Sequence, residues 1–168
     1  MENNRPKLKL NLSKFDIIIE VISIIVLLTL AVFTVVNYKN LPDTVPVHFN
    51  LAGEADRFGS KKEIFALPLI AIAIYTLLTI LNRYPHIFNY PTQITEANAL
   101  RQYTNATRLL RYLKLIIVSI FLLIFYFTTK AADVKNTALP PWILLLAFAS
   151  VTILIITFVA KSLKKTDK

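Results

Sequence analysis

Apolar residues along this chain fall in four long runs separated by polar segments, and the lengths of those runs set the architecture. The first, Phe15 to Val36, holds 22 residues. As a helix it would span about 33 Å at 1.5 Å per residue, close to the ~30 Å hydrocarbon thickness of a bilayer. It is too long for the roughly 7–15-residue core of a secretion signal, and no small-x-small cleavage site follows it. It therefore reads as a membrane helix that stays in the protein. The second run, Ile64 to Leu81, opens behind Ser60 and Glu63, spaced as in a capping box. Pro68, one turn inside, predicts a bend, with neighbouring helices re-satisfying the freed backbone. The helix stops before Asn82–Arg83–Tyr84–Pro85.

Pro85 and Pro91 make the next stretch an irregular connector. From Thr95, a plausible N-cap followed by Glu96, the pattern turns helical. Leu100, Tyr103, Leu110 and Leu113 mark one stripe, with Arg101, Arg108 and Arg111 beside it. This basic amphipathic segment runs unbroken into the apolar Leu115 to Thr128, predicting one long helix, half outside the bilayer and half within. A polar link from Thr128 to Pro140 leads to the last run, Trp142 to Ala160, entered through Pro140–Pro141 and an interfacial Trp142. The expected fold is an all-α membrane protein of four transmembrane helices. A small extracytoplasmic loop or hairpin, 38–62, joins helices 1 and 2 within a two-helix unit, 15–81. A cytoplasmic connector and amphipathic helix, 82–112, precedes helices 3 and 4, 113–160. The tails are 1–14 and 161–168.

Composition agrees: 55% hydrophobic and only 17% charged residues, against roughly 25% charged in soluble chains, with a mean hydropathy of +0.57. The net charge of +9 would suggest nucleic acid in a soluble protein. Here the basic residues cluster at the ends of apolar runs, as where a chain meets anionic lipid, so a bilayer and not a nucleic acid is the expected partner. The two tails and the middle connector carry 13 Lys and Arg, the other two loops 6. Positive-inside bias then puts both termini in the cytoplasm and the 38–62 loop outside the cell membrane. With no cysteine, disulfides and thiolate metal sites are excluded.

Both glycines of the chain, Gly53 and Gly59, lie in that loop, YKNLPDTVPVHFNLAGEADRFGSKK, together with Pro42, Pro46 and His48. Glycine permits backbone angles closed to other residues and proline fixes φ, so the segment specifies a shape. Val45 to Asn50 alternates apolar and polar, as in a half-buried strand, and Pro46 restricts it to an edge. Leu51 to Asp56 around Gly53 reads as a turn, and Arg57–Phe58–Gly59 as the return. Val47, Phe49 and Phe58 are expected to face the helices, leaving His48, Asn50, Asp56 and Lys61 on display. The candidate binding residues are thus Pro46, His48, Asn50, Gly53, Asp56 and Lys61.

The residues Leu41, Pro42, Val45, Pro46, His48, Phe49, Gly53, Asp56, Gly59 and Lys61, within LPDTVPVHFNLAGEADRFGSK, resemble the signature of a bacterial membrane family, the domain of unknown function 1648. That domain also stands at the N-terminus of SdpI-type immunity proteins, which protect a producing cell from its own secreted peptide toxin. The likeness covers roughly residues 20 to 70. It implies an integral membrane protein with this loop outside and a role near peptide-toxin immunity or envelope-stress sensing, and it brings no catalytic residue; the expected partner besides the bilayer is an external peptide or another membrane protein. The second half of the chain shows no such likeness.

Other chemistry finds little footing. A zinc site needs three or four protein ligands, whereas His48 has no second histidine on its side, since His86 belongs to the opposite face. The simpler reading has Asp56 and Asn50 bonding turn amides while His48 caps the hairpin. No nucleophile elbow or phosphate-cradling loop is present. No enzyme activity, metal or cofactor is expected; an embedded enzyme using His48 and Asp56 ranks last. Within the membrane, Glu20 lies one turn after Asp16 on the same face, and an ionised carboxylate there is costly unless paired. Arg108, Arg111 and Lys114 reach similar depth. Glu20 is expected to pair with one of them, the alternative being a polar path in a small transporter subunit or accessory protein.

Overall fold

The computed structural model describes residues 5–133 and 138–164. Lys135, Lys165 and Lys168, counted in the charge balance above, lie outside these. Among the described residues four helices are long and apolar enough to cross a membrane. They are α1 (Lys14–Tyr38), α2 (Ala66–Leu81), α3 (Glu96–Asp133) and α4 (Trp142–Leu163), with an antiparallel hairpin of β1 (Thr44–Phe49) and β2 (Ala55–Ser60) between the first two.

α1 starts at Ser13. Its hydroxyl accepts from the Asp16 N–H at 3.2 Å, while the Ser13 N–H donates to Asp16 Oδ2 at 2.9 Å. This is the same box of Ser followed three residues later by an acid that marks Ser60–Glu63. At the second box a 3-10 helix, Lys61–Phe65, leads into α2. The structure meets Pro68 with that change of helix type. Pro68 is the third residue of α2, in the first turn, where backbone N–H groups lack intrahelical partners and the missing donor is tolerated.

α3 is continuous over 38 residues and packs on α1, α2 and α4. It extends five residues past the expected end at Thr128, so the polar link to α4 is correspondingly shorter. Its buried face differs from the expected stripe. Ala99, Gln102, Tyr103, Ala106, Thr107, Arg111, Lys114, Val118 and Phe125 are buried, whereas Leu100 is 59% exposed. Small residues let backbones approach, and here the contact follows Ala and Thr rather than Leu. α1 answers with Ser23, Leu30 and Thr34. The hydroxyls of Ser23 and Thr34 donate to the carbonyls of Ile19 and Leu30, so their burial leaves no donor orphaned.

Leu30, Leu41, Val45, Ile64, Ala71 and Phe125 form the apolar core, and Val45 carries the hairpin into it. At the other end of the bundle, Arg5 Nη1 donates to the carbonyls of Phe88 (2.6 Å) and His86 (3.2 Å). There, burial raises the Tyr90 hydroxyl above its ordinary value, Tyr103 adding to the effect and Arg5 opposing it. Gln102 Nε2 donates to the Ser162 carbonyl and Arg101 Nη1 to that of Lys164. The N-terminal segment, the 82–95 connector and the end of α4 therefore meet at one end, and the hairpin meets the segment before α4 at the other.

Candidate functional site

Two groups of polar residues stand out, one in the hairpin and one between the helices. In the hairpin the strands pair Pro46 with Phe58, His48 with Arg57, and Phe49 with Ala55. Val47 is therefore an extra residue on β1 and Asp56 an extra residue on β2, two bulges that restore the register between them. Pro46 has no N–H to give to the ladder, so the pairing breaks beside it. The bulges interrupt the alternation, and Val45 and Pro46 are both buried. Val47 and Phe49 are half-buried. Phe58, expected to face the helices, is instead 60% exposed.

The same bulges bring His48 and Asp56 together, with Nδ1 and Oδ1 2.5 Å apart and side chains 61% and 44% exposed. Asp56 was expected on the turn amides; its extra position on β2 sends it to His48 instead. The turn is organised by Asn50 alone. Its Oδ1 accepts from the N–H groups of Ala52 (2.9 Å) and Glu54 (3.0 Å), and its Nδ2 donates to Glu54 Oε2 at 3.0 Å. Lys61, expected on display, folds back: Nζ lies 3.0 Å from Asp43 Oδ1, 3.4 Å from the Leu41 carbonyl, and over the Tyr38 ring. Gly53 has φ +84°, and its carbonyl accepts from the Leu139 N–H at 2.7 Å. A Cβ at Gly53 would overlap the Leu139 carbonyl oxygen. This glycine thus docks the tip against the residues that open α4. Nothing in the sequence pattern pointed to Leu139, because the contact joins two loops 86 residues apart.

The second group surrounds Glu20. Lys114 Nζ donates to both carboxylate oxygens (2.8 and 2.6 Å) and to Thr79 Oγ1 at 3.0 Å, its side chain wholly buried. The Tyr75 hydroxyl donates to Oε2 at 3.0 Å. Arg111 Nε stands 3.3 Å from Oε1, close enough for an ion pair though not aligned as a hydrogen bond. One turn away Arg108 holds Asp16, Nε to Oδ1 at 2.8 Å. Glu20 and Lys114 therefore pair as expected. Tyr75 and Thr79 were missed, although they stand four apart among the few polar residues of the Ile64–Leu81 run, a visible signal.

The hairpin offers a charged pair without a third ligand: among the described residues no three of His, Asp and Glu come together. The Glu20 group is a packed ion cluster. Neither sets a nucleophile against a base. Residues 24–72 match the model of a family described as a domain of unknown function (DUF1648). The match begins inside α1, takes in the hairpin and ends early in α2, so it contains every hairpin residue above and excludes Glu20 and Lys114. An uncharacterized protein of Archaeoglobus fulgidus is 36% identical over 89 residues, 48% of this chain and 49% of that relative. The chain thus spans about half the length of the curated relative it matches. No solved structure matches.

Proposed function

We infer that this chain, which carries the domain of unknown function (DUF1648) at residues 24–72, is a non-enzymatic multi-pass protein of the cytoplasmic membrane. In this reading both termini are cytoplasmic and the hairpin is a recognition surface outside the cell for an external peptide. The uneven distribution of lysine and arginine supports the orientation. The likeness of the loop to the N-terminal domain of SdpI-type immunity proteins supports protection against a secreted peptide toxin, or envelope-stress sensing.

The observation that carries the reading is the make-up of the hairpin's open face. Leu51 is 90% exposed and Phe58 60%, on the same hairpin as the exposed His48–Asp56 pair. Single exposed apolar residues are ordinary. Leu51 in the turn and Phe58 on β2 belong to a hairpin held by Val45 in the core, Lys61 on Asp43 and Gly53 on Leu139. Such a surface loses little entropy when it binds.

Deleting the gene and challenging cells with secreted antimicrobial peptides tests this. Wild type should restore resistance, whereas His48→Ala, present in the membrane at equal abundance, should not. Unchanged sensitivity of the deletion strain would overturn the immunity reading and leave an accessory role. The saturation of Glu20 by Lys114, Tyr75 and Arg111 supports a packing role for that residue over a transport path.

A further inference from the structure

A cleft of about 240 Å³ opens between α1, α3 and α4, at the end of the bundle where the N-terminal segment and the end of α4 meet. Its chemistry is graded along its length. α3 and α4 run antiparallel here, with Gln102 and Arg101 bonded to the carbonyls of Ser162 and Lys164, so Lys161 lies nearest the open end of the cleft, Asn105 and Arg108 come next beside Phe158, and Tyr112 and Leu154 lie deeper. Lys161 and Leu154 are seven residues apart, about 10 Å along a helix. Phe15, in the first turn of α1, closes the third side.

The polar end of the cleft has cationic donors left over. Arg108 gives Nε and Nη2 to Asp16 and Ser13, and among the described residues its Nη1 has no hydrogen-bond partner; the side chain is 39% exposed. Lys161 is exposed, and among the described residues it has neither an ion pair nor a hydrogen bond. Asp16 neutralises one of the two cations, so the mouth keeps one positive charge.

We propose that this cleft is a binding site for one anionic phospholipid, with the phosphate between Arg108 and Lys161 and an acyl chain laid along Phe158 and Leu154. A phosphodiester carries the single negative charge the mouth lacks, and guanidinium and ammonium groups are its usual partners. The apolar wall that continues from the mouth distinguishes an amphiphile from a free anion. A bilayer presents these two chemistries in the same order and over a similar distance at its surface. The site lies at the opposite end from the hairpin and is independent of what the hairpin binds.

The test uses the full chain purified in a neutral detergent and three probes: dioctanoyl phosphatidylglycerol, dioctanoyl phosphatidylcholine and inorganic phosphate. Native mass spectrometry should show one phosphatidylglycerol retained per chain, with the other two probes retained far less. Lys161→Gln should weaken retention about fivefold, the effect of one basic residue at an anionic surface. Lys9→Gln, an exposed cation at the same end, should leave it unchanged. Leu154→Trp, which fills the deep part of the cleft and leaves the charges in place, should also weaken it. Equal losses from Lys161→Gln and Lys9→Gln would mean diffuse attraction and overturn the proposal. So would equal retention of phosphatidylcholine, retention of phosphate alone, or binding indifferent to Leu154→Trp.

Discussion

Adding one methyl group should have very different effects at the two glycines. At Gly53 it meets a positive φ, which costs an L-residue roughly 1–2 kcal/mol, and it displaces the Leu139 backbone. At Gly59 it meets only the end of the Glu63 side chain, whose displacement would cost the Ser60 N–H its acceptor but move no backbone. Gly53→Ala should therefore lower the unfolding temperature in detergent well beyond Gly59→Ala, and equal shifts would contradict the docking of the tip on Leu139. A second contrast belongs to Glu20. Glu20→Gln leaves Lys114 and Arg111 buried without an anion, a loss of about 3–5 kcal/mol for a broken buried pair. Lys114→Met leaves the carboxylate with Arg111 and Tyr75 still beside it. Denaturation of the purified variants should rank Glu20→Gln as clearly the less stable.

At the scale of elements, the two capping boxes give a graded expectation. Ser13 Oγ caps α1 and also lies 3.3 Å from Arg108 Nη2, so it ties the start of α1 to α3. Ser60 accepts only within its own turn, from Lys62 N–H at 3.4 Å. Loss of an N-cap costs ~1 kcal/mol. Ser13→Ala should reach or exceed that and Ser60→Ala fall below it, as thermal unfolding would measure. The four long helices and the strand before Asn50 were legible in the sequence because hydropathy and alternation are local patterns. Which residues of the hairpin face inward was not. The bulges at Val47 and Asp56 shift that pattern, and they depend on a pairing partner no single strand specifies. The buried face of α3 was hidden for another reason: close contact there is made by Ala99, Ala106 and Thr107, small residues that a stripe of large apolar side chains does not mark.

The whole molecule divides into two ends, and the absence of cysteine gives a clean background for testing which end faces out. Leu51→Cys sits at the hairpin tip and Lys9→Cys in the N-terminal segment, both exposed. In intact cells a membrane-impermeant maleimide should label Leu51→Cys and spare Lys9→Cys until the membrane is opened. Labelling of both in intact cells would refute the orientation. The ion pair Glu20–Lys114 was legible from matching depths of opposite charges on α1 and α3, and the same matching extends to Asp16–Arg108, for which no partner was expected. The meeting of the hairpin with the start of α4 was not, since it is set by how the bundle closes.

That meeting has a mechanical side. α4 packs chiefly on α3 along its length. Among the described residues its approach is fastened to Gly53 by one backbone bond, and its far end is tied to α3 through Gln102 and Arg101. A helix of 22 residues is a stiff rod about 33 Å long. Whatever pulls the tip outward must either snap that single bond or draw the rod with it like a piston, carrying Lys161 away from Arg108.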